Sequence, residues 1–118
     1  MYQETERTRR VGELLRRGLA DVLLREMDSR ELKLISITDV SMSRDLRHAI
    51  VYVTSLAKDD ANEEVKTLNE IKGFLRKQLS RRVQLKHLPS LKFELDESIS
   101  RGIRLSSLIE SVNKHEDE

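Results

Sequence analysis

The sequence predicts a single α+β domain in which helices cover one face of a three-stranded sheet. Its 118 residues match the usual length of one domain, and 37% hydrophobic residues suffice for one aliphatic core. The spacing of the apolar residues changes along the chain between the period of a helix and the period of a strand. Two layers, helices against one sheet, would bury all of these apolar stripes.

The first predicted element is an amphipathic helix over residues 4–27. Its apolar residues recur every three or four positions and form one stripe, which comprises Val11, Leu14, Leu15, Leu19, Val22 and Leu23. Arg9, Arg10 and Arg17 fall outside this stripe. We therefore expect the helix to pack inward and to present these guanidinium groups to solvent. Residues 28–33 are expected to form a connecting loop.

Two antiparallel strands are predicted over residues 34–42 and 46–54. Both segments are rich in Ile, Val and Thr, and the polar residues 43–45 between them suit a hairpin turn. The second strand carries Tyr52, which could stack on a nucleic-acid base. A lone strand aromatic more often belongs to the core, and we expect that placement here.

The first of these strands changes phase midway. Ile35 and Ile37 alternate on one face, whereas Val40 and Met42 are offset by one position. Because one extra residue shifts the alternation of a strand by one, a β-bulge near residues 38–39 would place all four side chains on the same face.

A capping box at residues 60–63 predicts the start of the next helix. An apolar stripe runs from Val65 to Ile71. It resumes beyond Gly73 and continues to Val83. A glycine within helical periodicity costs about 1 kcal/mol relative to alanine, so this glycine predicts a kink between two helices.

The alternation of apolar and polar residues over positions 91–95 predicts a third strand after Pro89. Apolar residues within positions 99–112 predict a final helix. The acidic residues 113–118 are expected to form a disordered tail. Residues 1–112 would then make up one domain.

The order of the predicted elements is α-β-β-α-kink-α-β. This is the order of a type II KH-like domain, and KH modules bind RNA backbone where two helices meet. The usual GxxG clamp between those helices is absent, and the junction reads Ile71-Lys72-Gly73.

Basic residues are concentrated in one part of the chain. Residues 66–92 hold eight basic residues and one acidic residue, a net charge of +7, although the whole chain carries +1. Such a segment is typical of a phosphate-binding surface. Exposed helices are also rich in charge, however, and on charge alone a solvated helix face is the more common case. Arginines near the N-terminus form a second, weaker cluster.

No set of residues forms a catalytic or metal-binding constellation. The three histidines have no metal-ligand spacing, and neither a Gly-x-Ser-x-Gly motif nor a phosphate loop is present. The absence of Cys excludes disulfides, thiolate catalysis and cysteine zinc sites. Without a secretory signal or an apolar run of about 18 residues, we expect a soluble cytoplasmic protein that is not an enzyme and needs no cofactor, metal or membrane.

Three stretches of the sequence closely resemble the ribosome-binding factor A family. They are SRDLRHAIVYV at residues 43–53, LNEIKGFLR at residues 68–76 and LPSLKFELD at residues 88–96. The resemblance covers about residues 8–109 and implies a type II KH-like fold with an Ala-x-Gly kink in place of GxxG. Gly73 retains the glycine, but Ile71 stands at the alanine position, which could change the angle between the two helices.

The resemblance also implies a function. Members of the family are bacterial assembly factors that bind the small ribosomal subunit near helix 1 and the decoding-region neck of its rRNA. We therefore expect a monomer that acts during late maturation, including processing of the rRNA 5′ end, and that cooperates with other assembly factors. The alternative is a protein-interaction module whose basic face docks an acidic partner or a second copy of the chain. An enzyme is a distant third possibility.

The expected RNA contact is the basic surface of the kinked helices. An aromatic content of 3% favours phosphate and sugar contacts over base stacking. The glycine of the kink would let an RNA backbone approach closely, and the basic side chains after it would extend the contact along the second helix. The candidate RNA-binding residues are Lys72, Gly73, Arg76, Lys77, Arg81, Arg82 and Lys86, with Arg9, Arg10 and Arg17 as a weaker flank.

Overall fold

The computed structural model describes residues 2–98 and confirms the predicted α+β fold. Its elements are α1 (Glu6–Arg25), α2 (Arg30–Lys33), β1 (Ile35–Met42), β2 (His48–Ser55), α3 (Asn62–Glu70), α4 (Lys72–Ser80) and β3 (Ser90–Leu95). The loop predicted at residues 28–33 is wrong in part, because Ser29 accepts a hydrogen bond from the amide of Leu32 and starts the one-turn helix α2. The final helix predicted within residues 99–112 and the acidic tail 113–118 lie outside the described residues.

Helix α1 begins at Glu6 because two threonines satisfy its first amide groups. The Thr5 hydroxyl accepts a hydrogen bond from the Thr8 amide, and the Thr8 hydroxyl accepts one from the Thr5 amide. The apolar stripe of α1 packs against the sheet as predicted, with one exception. Leu14 was expected in the stripe but is 40% exposed.

The sheet has the strand order β1-β2-β3, with β1 antiparallel and β3 parallel to β2. The predicted bulge is confirmed, since Ile37 pairs with Val53 and Asp39 pairs with Tyr52, which leaves Thr38 as the extra residue. Its hydroxyl donates to the Tyr52 carbonyl at 3.3 Å. The bulge keeps the apolar residues of both halves of β1 buried on the same face.

The core lies between this face of the sheet and the helices. Val51, Val53 and Phe93 are at most 1% exposed and form its centre together with the buried residues of α1, α3 and α4. Tyr52 alternates with the two buried valines and therefore points to the opposite face, where it is half-buried. The expectation that Tyr52 belongs to the core is wrong.

The break between α3 and α4 confirms the predicted kink but places it at Ile71, two residues before Gly73. The predicted capping box is wrong. The Asp60 carboxylate accepts a hydrogen bond from the Asn62 amide at 2.9 Å, and α3 begins at Asn62 without a side-chain cap. Helix α4 ends at Ser80, so the basic residues from position 81 onward lie beyond the helix and not along it.

The side chain of Asn69 joins α3 to the outer edge of β3. Its amide nitrogen donates to the Phe93 carbonyl at 2.9 Å, and its amide oxygen accepts from the Phe93 amide at 2.8 Å. These two bonds satisfy backbone groups that the parallel pairing with β2 leaves unpaired at this edge. The junction of α3 and α4 is thereby fixed relative to the sheet.

Candidate nucleic-acid interface

Basic side chains cluster on the outer side of α4 and the segment that follows it. We call this the kink surface and define it by five exposed residues, Lys72, Gly73, Lys77, Arg81 and Lys86. Residues 73, 77 and 86 line one groove of about 490 Å³. Within residues 2–98, none of the four cationic side chains makes an ion pair or a hydrogen bond. The structure thus brings Gly73, Lys77 and Lys86 together along one groove, while Lys72 and Arg81 lie at the two ends of α4.

Gly73 lies in the first turn of α4 with its Cα open to solvent. A Cβ built on it would meet no atom within 4 Å, and its φ is not in the left-handed region. Neither packing nor backbone conformation therefore requires a glycine at this position. No side chain caps the α4 N-terminus, so no side chain of the described residues satisfies the amide groups of this first turn.

Arg76 is on the same helix, but its guanidinium group holds the protein's own backbone. It donates through Nε to the Pro89 carbonyl at 3.1 Å and through Nη2 to the Leu88 carbonyl at 2.8 Å. These bonds tie the segment before β3 to α4. Because neither partner is a carboxylate, the positive charge remains uncompensated at the wall of the groove.

Arg82 is fully engaged inside the fold. Its Nε contacts the Asp21 carboxylate and its Nη2 the Glu26 carboxylate, both at 2.8 Å, and the side chain is 19% exposed. Nη1 donates to the Gln78 carbonyl. The hydrogen bond from Arg82, assisted by one from Arg25, lowers the pKa of Asp21. This arginine joins the end of α4 to α1 and has each of its three guanidinium nitrogens committed within the fold.

The predicted flank on α1 is divided, and each of its arginines shares a glutamate with another arginine. Arg10 and Arg17 are seven residues apart and share one face, whereas Arg9 lies about 100° round the helix. Arg9 and Arg10 pair with Glu6, and Arg17 pairs with Glu13. Hydrogen bonds from Arg16 and Arg17 lower the pKa of Glu13 to about 2. The α1 arginines therefore offer less free charge than the kink surface.

A second concave site adjoins the first at residues 85–88, and sequence reasoning missed it. We call it the hairpin cleft: it has a volume of about 740 Å³ and is lined by the start of α1 at Arg7, the turn residues 45–48 and the segment 85–90. Arg47 lies in that turn. Charge counts could have singled out Arg7 and Arg47, but only the fold shows that they face one cleft.

No group of three or more His, Asp or Glu residues in the described part of the chain is arranged to hold a metal ion. No helix among residues 2–98 is long and apolar enough to cross a bilayer.

Comparison with known proteins gives consistent matches. The family model for ribosome-binding factor A matches residues 7–109. Ribosome-binding factor A of Stutzerimonas stutzeri is 44% identical over 126 aligned positions, which span 100% of this chain and 98% of the relative. The crystal structure of ribosome-binding factor A from Thermus thermophilus has a TM-score of 0.65 at 25% identity, covering 75% of this chain and 94% of the other.

A homology model of the Thermus thermophilus factor has also been fitted into a cryo-EM map of its complex with 30S. It has a TM-score of 0.62 to this chain at 26% identity and covers 73% of this chain and 91% of its own. These solved structures share the α+β fold described above.

Proposed function

Since the chain belongs to the ribosome-binding factor A family, we propose that it is a non-enzymatic assembly factor that binds the small ribosomal subunit through the kink surface. The 30S complex of the Thermus thermophilus relative supports this partner. The chain would act in the cytoplasm as a monomer, during late maturation of the subunit. It would cooperate there with other assembly factors and promote processing of the rRNA 5′ end.

One observation carries the site assignment: four cationic side chains without partners in the described range lie on α4 and the segment after it, and two of them, Lys77 and Lys86, share one groove with an open glycine. RNA phosphates supply the missing negative charge, and the amide groups of an uncapped helix start are natural phosphate donors. With an aromatic content of 3%, the chain would recognise the shape of folded rRNA more than its base sequence.

The contacts of each arginine refine the predicted RNA-binding set. Lys72, Lys77, Arg81 and Lys86 would contact phosphates directly. Arg76 would contribute its charge while it holds the adjacent backbone. Arg82 would contribute through stability alone, and Arg9, Arg10 and Arg17 would form the weaker flank.

The decisive experiment is sedimentation with purified small subunits. A Lys72→Glu, Lys77→Glu, Arg81→Glu triple variant should bind at least tenfold more weakly than the wild type. The matched control, Arg30→Glu, Lys33→Glu, Lys66→Glu, makes the same change in net charge at cations away from the kink surface and should bind within twofold of the wild type. Circular dichroism and melting temperature would verify folding of both variants.

Undiminished binding by a folded kink-surface variant would contradict the site assignment. If both triple variants lose subunit affinity equally, binding depends on the net charge of the chain and not on the position of these cations. If ribonuclease treatment of the complex leaves the chain bound to protein, the alternative of a protein-interaction module docking an acidic partner or a second copy would replace the RNA-binding proposal.

A Gly73→Ala variant tests the close approach of an RNA backbone. Nothing in the fold lies within 4 Å of the added Cβ, so stability should rise by about 0.5–1 kcal/mol from improved helix propensity. Subunit affinity should nevertheless fall, because the methyl group occupies the space of the incoming backbone. If the variant is more stable but its subunit affinity is unchanged, RNA does not approach Gly73 closely.

Processing of the rRNA 5′ end can be tested in a bacterium that lacks its own factor. Expression of the wild-type chain should reduce the fraction of 5′-extended small-subunit rRNA, measured by primer extension. The kink-surface triple variant should not. If both proteins reduce the fraction of 5′-extended rRNA at equal expression, rRNA processing does not depend on the kink surface.

A further inference from the structure

The hairpin cleft has the dimensions of a ligand site. Its volume of about 740 Å³ falls within the roughly 300–1,000 Å³ range of small-molecule pockets. Residues 85–88 form a common wall between this cleft and the groove of the kink surface. The two sites therefore adjoin each other along one segment of chain.

The charge around the hairpin cleft is predominantly positive. Arg7, Arg47 and Lys86 line it, and within residues 2–98 their side chains have no ion pair or hydrogen bond. Arg76 adds a fourth cation, whose hydrogen-bond partners are neutral carbonyls. The one acidic lining residue is Asp45, whose Oδ1 already accepts hydrogen bonds from the Ser43 hydroxyl and the Arg47 amide. The cleft is thus suited to an anion.

The floor of the cleft is apolar, and planar groups stand at its sides. Leucines 46, 85 and 88 and Val11 are partly buried against the core and form the floor. The imidazoles of His48 and His87 line the walls, and the His48 ring is held by a 2.8 Å hydrogen bond between Nδ1 and the Ser90 hydroxyl. Unstacked RNA bases pack on imidazole rings and on guanidinium planes.

Leu46 adopts a backbone conformation that is unfavourable for its side chain. Its φ is 61°, and it is the one non-glycine residue among those described with a positive φ. This conformation costs roughly 1–2 kcal/mol for an L-residue, so turns usually place Gly or Asn there. In this conformation the Leu46 side chain packs against the core and lines the cleft. Strained residues of this kind cluster at ligand sites.

We infer that the hairpin cleft binds one unstacked nucleotide of single-stranded RNA, with the base on the leucine floor and the phosphate against Arg7, Arg47 and Lys86. This inference rests on the RNA binding proposed above and adds a second subsite to it. A strand that crosses residues 85–88 from the kink surface would enter the cleft directly. An acidic peptide could satisfy the charges, but it would leave the planar walls unused.

The test is an NMR titration of the isolated chain with a single-stranded RNA hexamer, adenosine monophosphate and inorganic phosphate. The hexamer and the mononucleotide should shift the amide signals of Leu46, His48 and His87, whereas phosphate alone should shift far less. An Arg7→Glu, Arg47→Glu variant should bind the hexamer at least tenfold more weakly. The control Arg30→Glu, Arg44→Glu, with one substitution in the same turn but outside the cleft, should stay within twofold.

A Leu46→Gly variant separates ligand binding from folding. Relief of the positive φ should keep or raise the melting temperature, while loss of the floor should weaken mononucleotide binding threefold or more. The kink-surface triple variant should still show mononucleotide shifts in the cleft. Their persistence distinguishes failure of the subsite from failure of the subunit-binding surface.

Three results would overturn the inference. Equal shifts by phosphate and mononucleotide would leave a general anion site. Shifts by a glutamate-leucine peptide, with none by RNA, would make the cleft a protein-docking site. If no RNA probe shifts any signal while the wild type still binds subunits, the cleft does not bind a nucleotide, and the proposed function is unaffected.

Discussion

Arg81 and Arg82 are adjacent in sequence, but their side chains have different surroundings. Arg81 is exposed, and within the described range its side chain has no partner. Arg82 is held between two carboxylates of α1 and its C-terminal cap and is 19% exposed. Charge alone therefore does not identify a phosphate ligand, and the partners of each guanidinium group must be known.

Substitution to alanine should separate the two roles. Arg82→Ala should lower the free energy of unfolding by about 1–2 kcal/mol, since charge-assisted hydrogen bonds to partly exposed carboxylates are lost. Arg81→Ala should change it by less than about 0.5 kcal/mol, as is usual for an exposed side chain without partners. Urea denaturation measures both values. Equal destabilisation by the two substitutions would contradict the structural role of Arg82.

Glu13 should make the protein more stable at neutral than at acidic pH. Its pKa in the fold is lowered to about 2 from 4.5 by Arg16 and Arg17, so its contribution is fully present above pH 4.5 and is lost as the pH falls towards 2. The melting temperature of wild type should exceed that of Glu13→Gln at pH 6, and the difference should shrink between pH 4.5 and 2. A constant difference would exclude this linkage.

At the scale of elements, side-chain hydrogen bonds hold the α3-α4 junction on both sides, one from α3 and one from α4. The Asn69 side chain fixes the end of α3 to β3, and the Arg76 side chain fixes α4 to the segment before β3. Gly18 allows α1 to pack closely against α4, since a Cβ at this position would lie 2.7 Å from the Leu79 side chain. The backbone that carries the kink surface is therefore held to β3 and to the segment before it by side-chain hydrogen bonds.

An Asn69→Ala variant should loosen this support. It would leave the amide and carbonyl groups of Phe93 without partners at the edge of β3, and the free energy of unfolding should fall by about 1–3 kcal/mol. Amide hydrogen exchange at Phe93 should accelerate more than exchange in β1. Uniform acceleration across the sheet would indicate general destabilisation instead.

At the scale of the whole molecule, the chain combines a net charge of +1 with one strongly basic region. Four arginines of α1 share two glutamates, whereas the four cations of the kink surface have no carboxylate partner within residues 2–98. This distribution would direct the protein towards RNA in one orientation without general attraction to polyanions.

Binding to small subunits should consequently depend strongly on salt. If the four unpaired cations of the kink surface each release a counterion, the logarithm of affinity should fall with the logarithm of salt concentration with a slope of roughly −3 to −4. The kink-surface triple variant should have a slope close to about −1. Measurement of affinity across a several-fold range of potassium chloride concentration tests both values, and identical slopes would contradict the count of contacts.

Apolar periodicity predicted every strand and all but one of the helices in the described range, because that signal is local. It missed α2, whose four residues are too few to show a period. The capping box failed because the carboxylate of Asp60 forms a local bond two residues along the chain instead. The cluster of free charge at residues 72–86 could also be predicted from charge density.

The arginine partners and the hairpin cleft could not be predicted. Arg82 meets carboxylates 61 and 56 residues away in sequence, and no local pattern encodes that pairing. The cleft assembles from three distant segments, and its positive-φ leucine stands where turn chemistry favours Gly or Asn. Both features depend on tertiary packing.

The parallel pairing of β3 with β2 also has a consequence for synthesis of the chain. The hairpin partner of β2 precedes it, but its second neighbour ends at Leu95, 40 residues after β2 ends at Ser55. At about 5–20 residues per second, translation leaves one edge of β2 unpaired for roughly 2–8 s. Asn69 emerges 24 residues before Phe93. Its side chain can therefore already be in position when β3 leaves the exit tunnel. The outer edge of β3 can therefore be covered as soon as β3 pairs with β2.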